Sequence, residues 1–205
     1  MPDAGTVLLP AGPLEGDPGI RPQGHMFVGS KASWYTISDS LPQHDAYPPE
    51  FGDVPSIPRP TISVEPGKTA GSCLCGDVAY EITGAPLAMY QCHCSRCRRA
   101  RSAAHGANLF YKQADFRWTR GESQVASYKV PEAVRFTVAF CRRCGASVPQ
   151  ESPTLGGVIV PAGGLDTDPG MRPMAHIFVD YKAVWFDITD TMPQFPEAPP
   201  LPSAR

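Results

Sequence analysis

Short stretches of apolar and β-branched residues recur along the chain from residue 78 onwards, and in several of them apolar and polar positions alternate. Such alternation is the pattern of a β-strand that buries one face. Turn-forming residues separate the stretches, as in Thr-Gly-Ala-Pro at 83–86 and Asp-Pro-Gly at 168–170. The pattern predicts a mainly β fold, with strands at 78–83, 107–111, 124–130, 134–140, 157–160, 176–179 and 183–188.

The same pattern predicts little helix. The best helical candidate is a turn or two after Cys97, where Arg and Ala are frequent. The 205 residues include 24 prolines and 19 glycines. Because proline breaks helix interiors and glycine weakens them, this composition argues against a helical bundle.

Charge and hydropathy exclude further classes of protein. The formal net charge of -2 does not favour a generally basic nucleic-acid-binding protein. No apolar stretch approaches the ~20 residues that a membrane helix needs. The N-terminus lacks the basic and apolar regions of a secretory signal. We therefore expect a cytoplasmic protein with no membrane partner, in a compartment where thiols stay reduced.

One segment of the chain occurs twice. Residues 7–43 align with residues 158–194 at a constant offset of 151, with 20 identical residues in 37 positions. The first copy contains no cysteine, whereas all seven cysteines lie from Cys73 to Cys144, ahead of the second copy. We interpret residues 1–45 as a partial duplicate of the C-terminal third of the domain that follows.

A proline-rich stretch with little periodicity separates the first copy from the cysteines. We interpret residues 46–67 as a linker, 68–197 as a complete domain and 198–205 as a tail. The first copy lacks the partner strands of a complete domain. We therefore expect it to dock by strand addition, either on its own main domain or on a second chain, and the second arrangement would give a homodimer.

The seven cysteines fall into three groups at short spacings. In a reduced compartment such spacings indicate metal ligands rather than disulfides. The first group, C-x-C, and the last, C-x-x-C-G, together supply four thiolates, the number in a closed structural zinc site. The middle group supplies three thiolates, and three protein ligands with an open position are typical of catalytic zinc. We predict a structural zinc ion held by Cys73, Cys75, Cys141 and Cys144, and a catalytic zinc ion held by Cys92, Cys94 and Cys97.

The middle group has a second interpretation, a structural site completed by a histidine from the chain. His93 and His105 are the candidates for that fourth ligand. On a strand, however, His93 would point away from the face that Cys92 and Cys94 share. A rubredoxin-like iron centre is a weaker alternative, since it would need four cysteines in two C-x-x-C pairs.

Several charged residues lie near the middle group or in the second copy of the repeat. Four arginines would offset the negative charge of a zinc ion bound by three thiolates, and they would lower the pKa values of the thiols. The alternative is that they form only a solvated face of the helix. An aspartate pair and a histidine of the second copy would line the site, or they serve turns and β packing. The arginines are Arg96, Arg98, Arg99 and Arg101, and the other three residues are Asp166, Asp168 and His176.

The order and spacing of the motifs resemble those of one family. The motifs are G-x-C-x-C-G at 71–76, C-H-C-S-x-C-R at 92–98, F-C-x-x-C-G at 140–145, G-x-L-D at 163–166, P-x-x-H-I-F-V at 173–179 and W-F-x-I-x-D at 185–190. Over about residues 68–196 the chain resembles the glutathione-dependent formaldehyde-activating (GFA) family, also called the centromere-protein-V/GFA domain. The N-terminal copy looks like the last third of the same domain.

The resemblance implies an Mss4-like β fold with two zinc sites, held by the same cysteines that the spacing assigns to each. It also implies a carbon–sulfur lyase whose type activity is the formation of S-hydroxymethylglutathione from formaldehyde and glutathione. We therefore expect a zinc-dependent enzyme that joins or separates a small thiol, such as glutathione, and an aldehyde. The alternative is a non-catalytic, zinc-stabilised module that binds a protein or nucleic acid. The fourth position of the second zinc ion, open or filled by the chain, distinguishes the two.

Overall fold

The fold is that of a computed structural model, which describes residues 5, 7–52, 64–65, 67–152 and 156–199. Most of the predicted linker and the end of the predicted tail lie outside these residues. Within them the chain forms one α-helix, α1 (Ser95–Arg101), and twelve strands: β1 (Lys68–Ser72), β2 (Ala79–Thr83), β3 (Ala88–Cys92), β4 (Gly106–Lys112), β5 (Phe116–Arg120), β6 (Val125–Lys129), β7 (Thr137–Cys141), β8 (Ser147–Val148), β9 (Gln150–Ser152), β10 (Gly157–Pro161), β11 (Ala175–Ile177) and β12 (Gln194–Phe195). The predicted mainly β fold class is confirmed.

The described strands form three sheets. The largest has the order β12-β11-β3-β4-β10-β9, and it places β3 between β4 and the short strand β11. A second sheet has the order β1-β2-β5, and a third has the order β6-β7-β8. Most neighbours are antiparallel, but β11 runs parallel to both β3 and β12.

The main hydrophobic core lies where β2 of the second sheet packs on β3, β4 and β10 of the largest sheet. The pleat sends alternate side chains of β4 and β10 inward. Leu109 and Tyr111 of β4, and Val158 and Val160 of β10, are accordingly buried. Gly71 of β1 allows Tyr80 to approach closely, since a Cβ atom at residue 71 would overlap the tyrosine ring.

Helix α1 begins and ends at residues with specific backbone roles. The Sγ atom of Cys94 caps the N-terminus by accepting a hydrogen bond from the Cys97 backbone N–H at 3.4 Å. Ser102 ends the helix in the left-handed conformation, with φ 50°. Basic residues occupy the last turn, where they interact favourably with the helix dipole. The helix predicted after Cys97 is therefore present, but it starts two residues before that cysteine.

Several predicted strands match the structure and others do not. The stretches at 78–83, 107–111, 124–130 and 157–160 coincide closely with β2, β4, β6 and β10, whereas the stretch at 134–140 is a strand only from Thr137. The stretch at 176–179 ends early because Phe178 adopts a left-handed φ of 58° and leads into a 3₁₀-helix, Val179–Tyr181. The predicted strand at 183–188 is wrong: Ala183 and Trp185 are buried, but these residues pair with no strand among those described.

Further 3₁₀-helices are Val28–Ser30, Pro49–Phe51, Gln113–Asp115, Glu122–Gln124 and Ala162–Gly164. The first two lie in the N-terminal part of the chain. Within residues 7–52 the only bridge joins His25 to Gln43, and no strand pairs with the sheets of the main domain. The expected strand addition is thus absent from the described residues. The backbone groups of this copy instead bond to one another, as in His25 N–H to the Pro42 carbonyl at 2.8 Å.

Candidate metal centres

The first candidate metal centre is a group of four thiols, supplied by two tight turns that are far apart in sequence. Cys73 and Cys75 follow β1, whereas Cys141 ends β7 and Cys144 lies in the turn to β8. All four Sγ atoms lie within 4.8 Å of one another. This group joins the sheet of β1, β2 and β5 to the sheet of β6, β7 and β8. The predicted partition of the cysteines agrees with this geometry.

The sulfur–sulfur distances fit a tetrahedral metal ion. Cys73 Sγ lies 3.5 Å from Cys75 Sγ, and Cys75 Sγ lies 3.9 Å from Cys141 Sγ. A disulfide would need about 2 Å. Four ligands about 2.3 Å from a central zinc ion lie roughly 3.8 Å apart, so the donor set and its spacing both suit zinc.

Glycines shape the two turns. Gly76 and Gly145 have φ values of 77° and 72°, which residues with a side chain adopt only with strain. In each turn the glycine N–H donates a hydrogen bond to the carbonyl of the first cysteine: Gly76 to Cys73, and Gly145 to Cys141. The C-x-C pair of Cys73 and Cys75 therefore brings its sulfurs together through a turn, and not along an extended strand.

The second candidate metal centre is a group of three thiols at the junction of β3 and α1. Cys92 is the last residue of β3, Cys94 caps α1 and Cys97 lies in its first turn. Their Sγ atoms also lie within 4.8 Å of one another. No other His, Cys, Asp or Glu of the described residues belongs to this group.

The three thiols hold their protons unequally. Hydrogen bonds from Cys92 and Cys97 lower the pKa of Cys94 well below its usual range. The hydrogen bond with Cys94 correspondingly raises the pKa of Cys92. Cys94 is therefore the preferred thiolate of the group. A divalent cation would offset this charge and favour deprotonation of the other two thiols, so the group fits a metal ion such as zinc.

A cavity of about 690 Å³ opens beside the three thiols. Its wall includes the apolar side chains of Phe110, Phe136 and Ile159. Charged groups of both signs also line it, three guanidinium groups and two carboxylates. They belong to Arg96, Arg101, Arg135, Glu132 and Glu197.

Polar contacts hold parts of the cavity wall in place. Arg101 donates to the Ser147 hydroxyl at 3.0 Å, and the Tyr181 hydroxyl donates to Glu197 at 2.9 Å. Burial lowers the pKa of Arg101, and the nearby thiols Cys97 and Cys92 oppose that shift. An arginine remains protonated in proteins, so it keeps a positive charge against the thiol group.

The four arginines of α1 serve different contacts. Arg96 and Arg101 line the cavity. Arg98 donates to the Gly12 carbonyl at 2.9 Å, and Arg99 pairs with Glu15. The helix face is therefore not simply solvated: half of its arginines face the cavity, and half contact the N-terminal copy.

His93 does not join the thiols, although it lies between two of them in sequence. Its Nε2 atom lies 2.8 Å from His176 Nδ1, and His176 Nε2 lies 3.0 Å from a carboxylate oxygen of Asp190. Since the carboxylate accepts, His176 Nε2 donates to it, and His93 Nε2 donates to His176. Burial lowers the pKa of His93 to about 3, so this ring is neutral at pH 7.

His105 packs against the same group of rings, with its centroid 5.2 Å from that of His93. Burial lowers the pKa of His105 to about 4. Neither histidine belongs to the three-thiol group, so the alternative with a histidine as fourth ligand has no support in the described residues. The sequence did not predict the hydrogen-bonded series of His93, His176 and Asp190. His93 and His176 are 83 residues apart in sequence, and His176 and Asp190 are 14 residues apart.

Asp166, Asp168 and His176, the other residues considered for the site, do not line the cavity. Asp168 forms an ion pair with Arg172 at 2.9 Å and accepts a hydrogen bond from the Gly170 N–H at 2.8 Å. These contacts are those of a turn. Asp166 bonds through its backbone N–H to the Ala70 carbonyl. Of the described residues that line the cavity, none is Asp166, Asp168 or His176.

Comparison with known proteins identifies the family. The model of the glutathione-dependent formaldehyde-activating enzyme (GFA) family matches residues 68–181, more than half of the chain. The chain belongs to the GFA family. A solved structure of a Rhodobacter sphaeroides protein is similar to it, with 25% identity and a TM-score of 0.41, over 51% of this chain and 97% of that one. No functionally curated protein matches the chain.

In the parts of the chain that the structure describes, no helix has both the length and the apolar character needed to cross a bilayer.

Proposed function

We propose that this GFA-family protein is a zinc-dependent carbon–sulfur lyase that forms or cleaves an adduct between a small thiol and an aldehyde. One observation carries the proposal: the three-thiol group opens onto a large cavity, whereas two thiols of the four-thiol group, Cys73 and Cys141, are buried in a small hydrophobic cluster. Three protein ligands beside an open space suit a catalytic metal ion, and four suit a structural one. The proposed catalytic ligands are Cys92, Cys94 and Cys97.

The charges of the cavity support a peptide thiol such as glutathione as the thiol substrate. Glutathione carries two carboxylates and one ammonium group. Arg96 and Arg135 are available to bind carboxylates, and Glu197, held by Tyr181, is available to bind an ammonium group. The apolar wall near Phe110 would exclude water from the reacting atoms.

The proposed reaction joins the thiol sulfur to the aldehyde carbon. Zinc held by the three cysteines supplies a Lewis acid that favours the thiolate form of a thiol at neutral pH. The thiolate attacks the aldehyde carbon, a C–S bond forms, and the carbonyl oxygen takes up the proton that the thiol released. Arg101 is placed to offset the negative charge of the sulfurs in this step. The reverse reaction breaks the C–S bond and releases both substrates.

The test is the rate at which glutathione and formaldehyde exchange with S-hydroxymethylglutathione, measured by NMR against the spontaneous rate. We expect the zinc-loaded protein to accelerate exchange, a chelator to abolish the acceleration, and added zinc to restore it. A panel of other thiols and aldehydes would then define the substrates. If the folded protein with two zinc ions accelerates no thiol–aldehyde pair, the proposal fails and a zinc-stabilised binding module becomes the better explanation.

A further inference from the structure

The two copies of the repeated segment fold alike, and all seven cysteines of the sequence lie between them. Each copy has an Asp–Arg ion pair four residues apart, a phenylalanine in the left-handed conformation that begins a 3₁₀-helix, and a histidine bonded to an aspartate fourteen residues later. In the first copy these residues are Asp17, Arg21, Phe27, His25 and Asp39, and in the second they are Asp168, Arg172, Phe178, His176 and Asp190.

The two copies also touch each other at equivalent positions. The Ser38 and Thr189 hydroxyl oxygens lie 2.6 Å apart, and these residues are 151 positions apart, which is the offset of the repeat. Equivalent residues of two copies meet when the rotation axis that relates the copies passes close to the contact, and in a symmetric dimer that axis is two-fold. The contact is thus what an isologous dimer interface would produce.

A cavity of about 280 Å³ at this seam supports the same symmetry. Its wall contains residues of both copies. Four of the positions that line it are present in duplicate, once from each copy. These pairs are Tyr35 with Phe186, Thr36 with Asp187, Ser38 with Thr189, and Asp39 with Asp190.

The N-terminal copy also contributes to the core of the main domain. Trp34, only 9% exposed, belongs to the main hydrophobic cluster together with Tyr80 and Leu109. Gly12 lies so close to Ser102 and Ala103 that a Cβ atom there would overlap their backbone. The carbonyl of Gly12 accepts from Arg98, and Glu15 pairs with Arg99. The main domain therefore has a surface that is shaped for this copy.

We infer that this surface is a docking site for the C-terminal third of a second copy of the same domain. In this chain the N-terminal copy occupies the site, so one polypeptide contains both sides of the interface of a symmetric dimer. Trp34 takes the place that Trp185 of a second domain would take. The inference is independent of the proposed catalytic activity, because it rests only on the repeat and its contacts.

The test replaces residues 7–43 of the full chain with the sequence of residues 158–194. A matched control carries a scrambled segment of the same composition, with tryptophan kept at position 34. Cysteines introduced at positions 38 and 189 of each zinc-loaded protein report docking, because peptide mapping by mass spectrometry identifies a disulfide between them. The parent chain with Ser38→Cys and Thr189→Cys gives the reference.

We expect the parent and the repeat-swapped chain to form the 38–189 disulfide within one chain, with equal monomer mass and melting temperatures within roughly 4 °C, the effect of about 1 kcal/mol. The scrambled chain should lose the disulfide and melt lower. The inference is overturned if the repeat-swapped chain behaves like the scrambled one, if the scrambled chain docks equally well, or if the parent forms the disulfide only between two chains.

Discussion

The two thiol groups of this protein use the same ligand atom in different settings. Four sulfurs come from two turns that join separate sheets, and the buried Cys73 and Cys141 lie in a hydrophobic cluster. Three sulfurs come from one short segment, the end of β3 and the start of α1, and they face a cavity. We expect the ligand set that joins distant parts of the chain to stabilise the fold, and the set from a single segment to leave its fourth position open to a substrate.

The difference also concerns charge. Near the three-thiol group the wall carries Arg96, Arg101 and Arg135. Near the four-thiol group Arg143 is paired with Asp77 at 2.9 Å. The arginines by the cavity are therefore better placed to bind an anionic ligand. Four predictions test the contrast between the two thiol groups.

The largest effect is expected for Cys141→Ser, because Cys141 is fully buried in the group that joins two sheets. A structural zinc site contributes directly to the free energy of folding. Loss of this ligand should remove the metal and lower stability by roughly 4 kcal/mol, or roughly 8–16 °C in melting temperature. Calorimetry and metal analysis measure both. A variant that keeps two zinc ions and the parent melting temperature would contradict this assignment.

A smaller effect on stability is expected for Cys94→Ser, since the three thiols belong to one local segment. We expect zinc to fall from two ions to one and catalysis to be lost, with a melting temperature only roughly 2–4 °C lower, equivalent to about 1 kcal/mol. Metal analysis, thiol titration and the exchange assay check the three results. Global unfolding, or no loss of zinc, would count against the division into a structural and a catalytic site.

Removal of a cavity arginine should weaken binding of the thiol without affecting the fold. For Arg96→Gln or Arg135→Gln we expect KM for glutathione to rise about tenfold, since a hydrogen bond to a charged group contributes about 1.5–3 kcal/mol. KM for 2-mercaptoethanol, which has no carboxylate, should stay the same. Arg142→Gln is the matched control, because Arg142 is exposed and does not line the cavity. Equal effects on both thiols would show that the arginines do not bind the carboxylates.

The smallest effect concerns acid sensitivity beside the three-thiol group. Burial lowers the folded-state pKa of His105 to about 4, below the value of 6.5 for an unperturbed histidine. The unfolded chain therefore takes up this proton first, so the stabilisation is complete above pH 6.5 and is lost as the pH falls towards 4. His105→Phe cannot bind a proton and should lose less stability between pH 7.5 and 5.

Urea unfolding at the two pH values measures this difference. Protonation of thiolates weakens zinc binding in both proteins, so the comparison between them isolates the histidine. An identical loss of stability in the parent and in His105→Phe would mean that this ring takes up a proton in the folded state.

The sequence predicted part of the fold because alternation of apolar residues reports which face is buried. This works for β4 and β10, where alternate residues enter the core. It misleads at 183–188, where Ala183 and Trp185 are buried but no strand among the described residues pairs with this segment. Strand β3 was missed because Ala88–Cys92 contains no β-branched residue, and its position between β4 and β11 determines its conformation.

The sequence by itself determined the division of the seven cysteines into four and three, because short spacings and adjacent glycines fix which sulfurs can meet. It also determined the repeat, through a constant offset of 151. Only the tertiary structure decided that the three thiols face a cavity, that His93 turns to His176, and that Trp34 enters the main core. These contacts join residues far apart in sequence, so they depend on how the sheets pack and not on any local pattern.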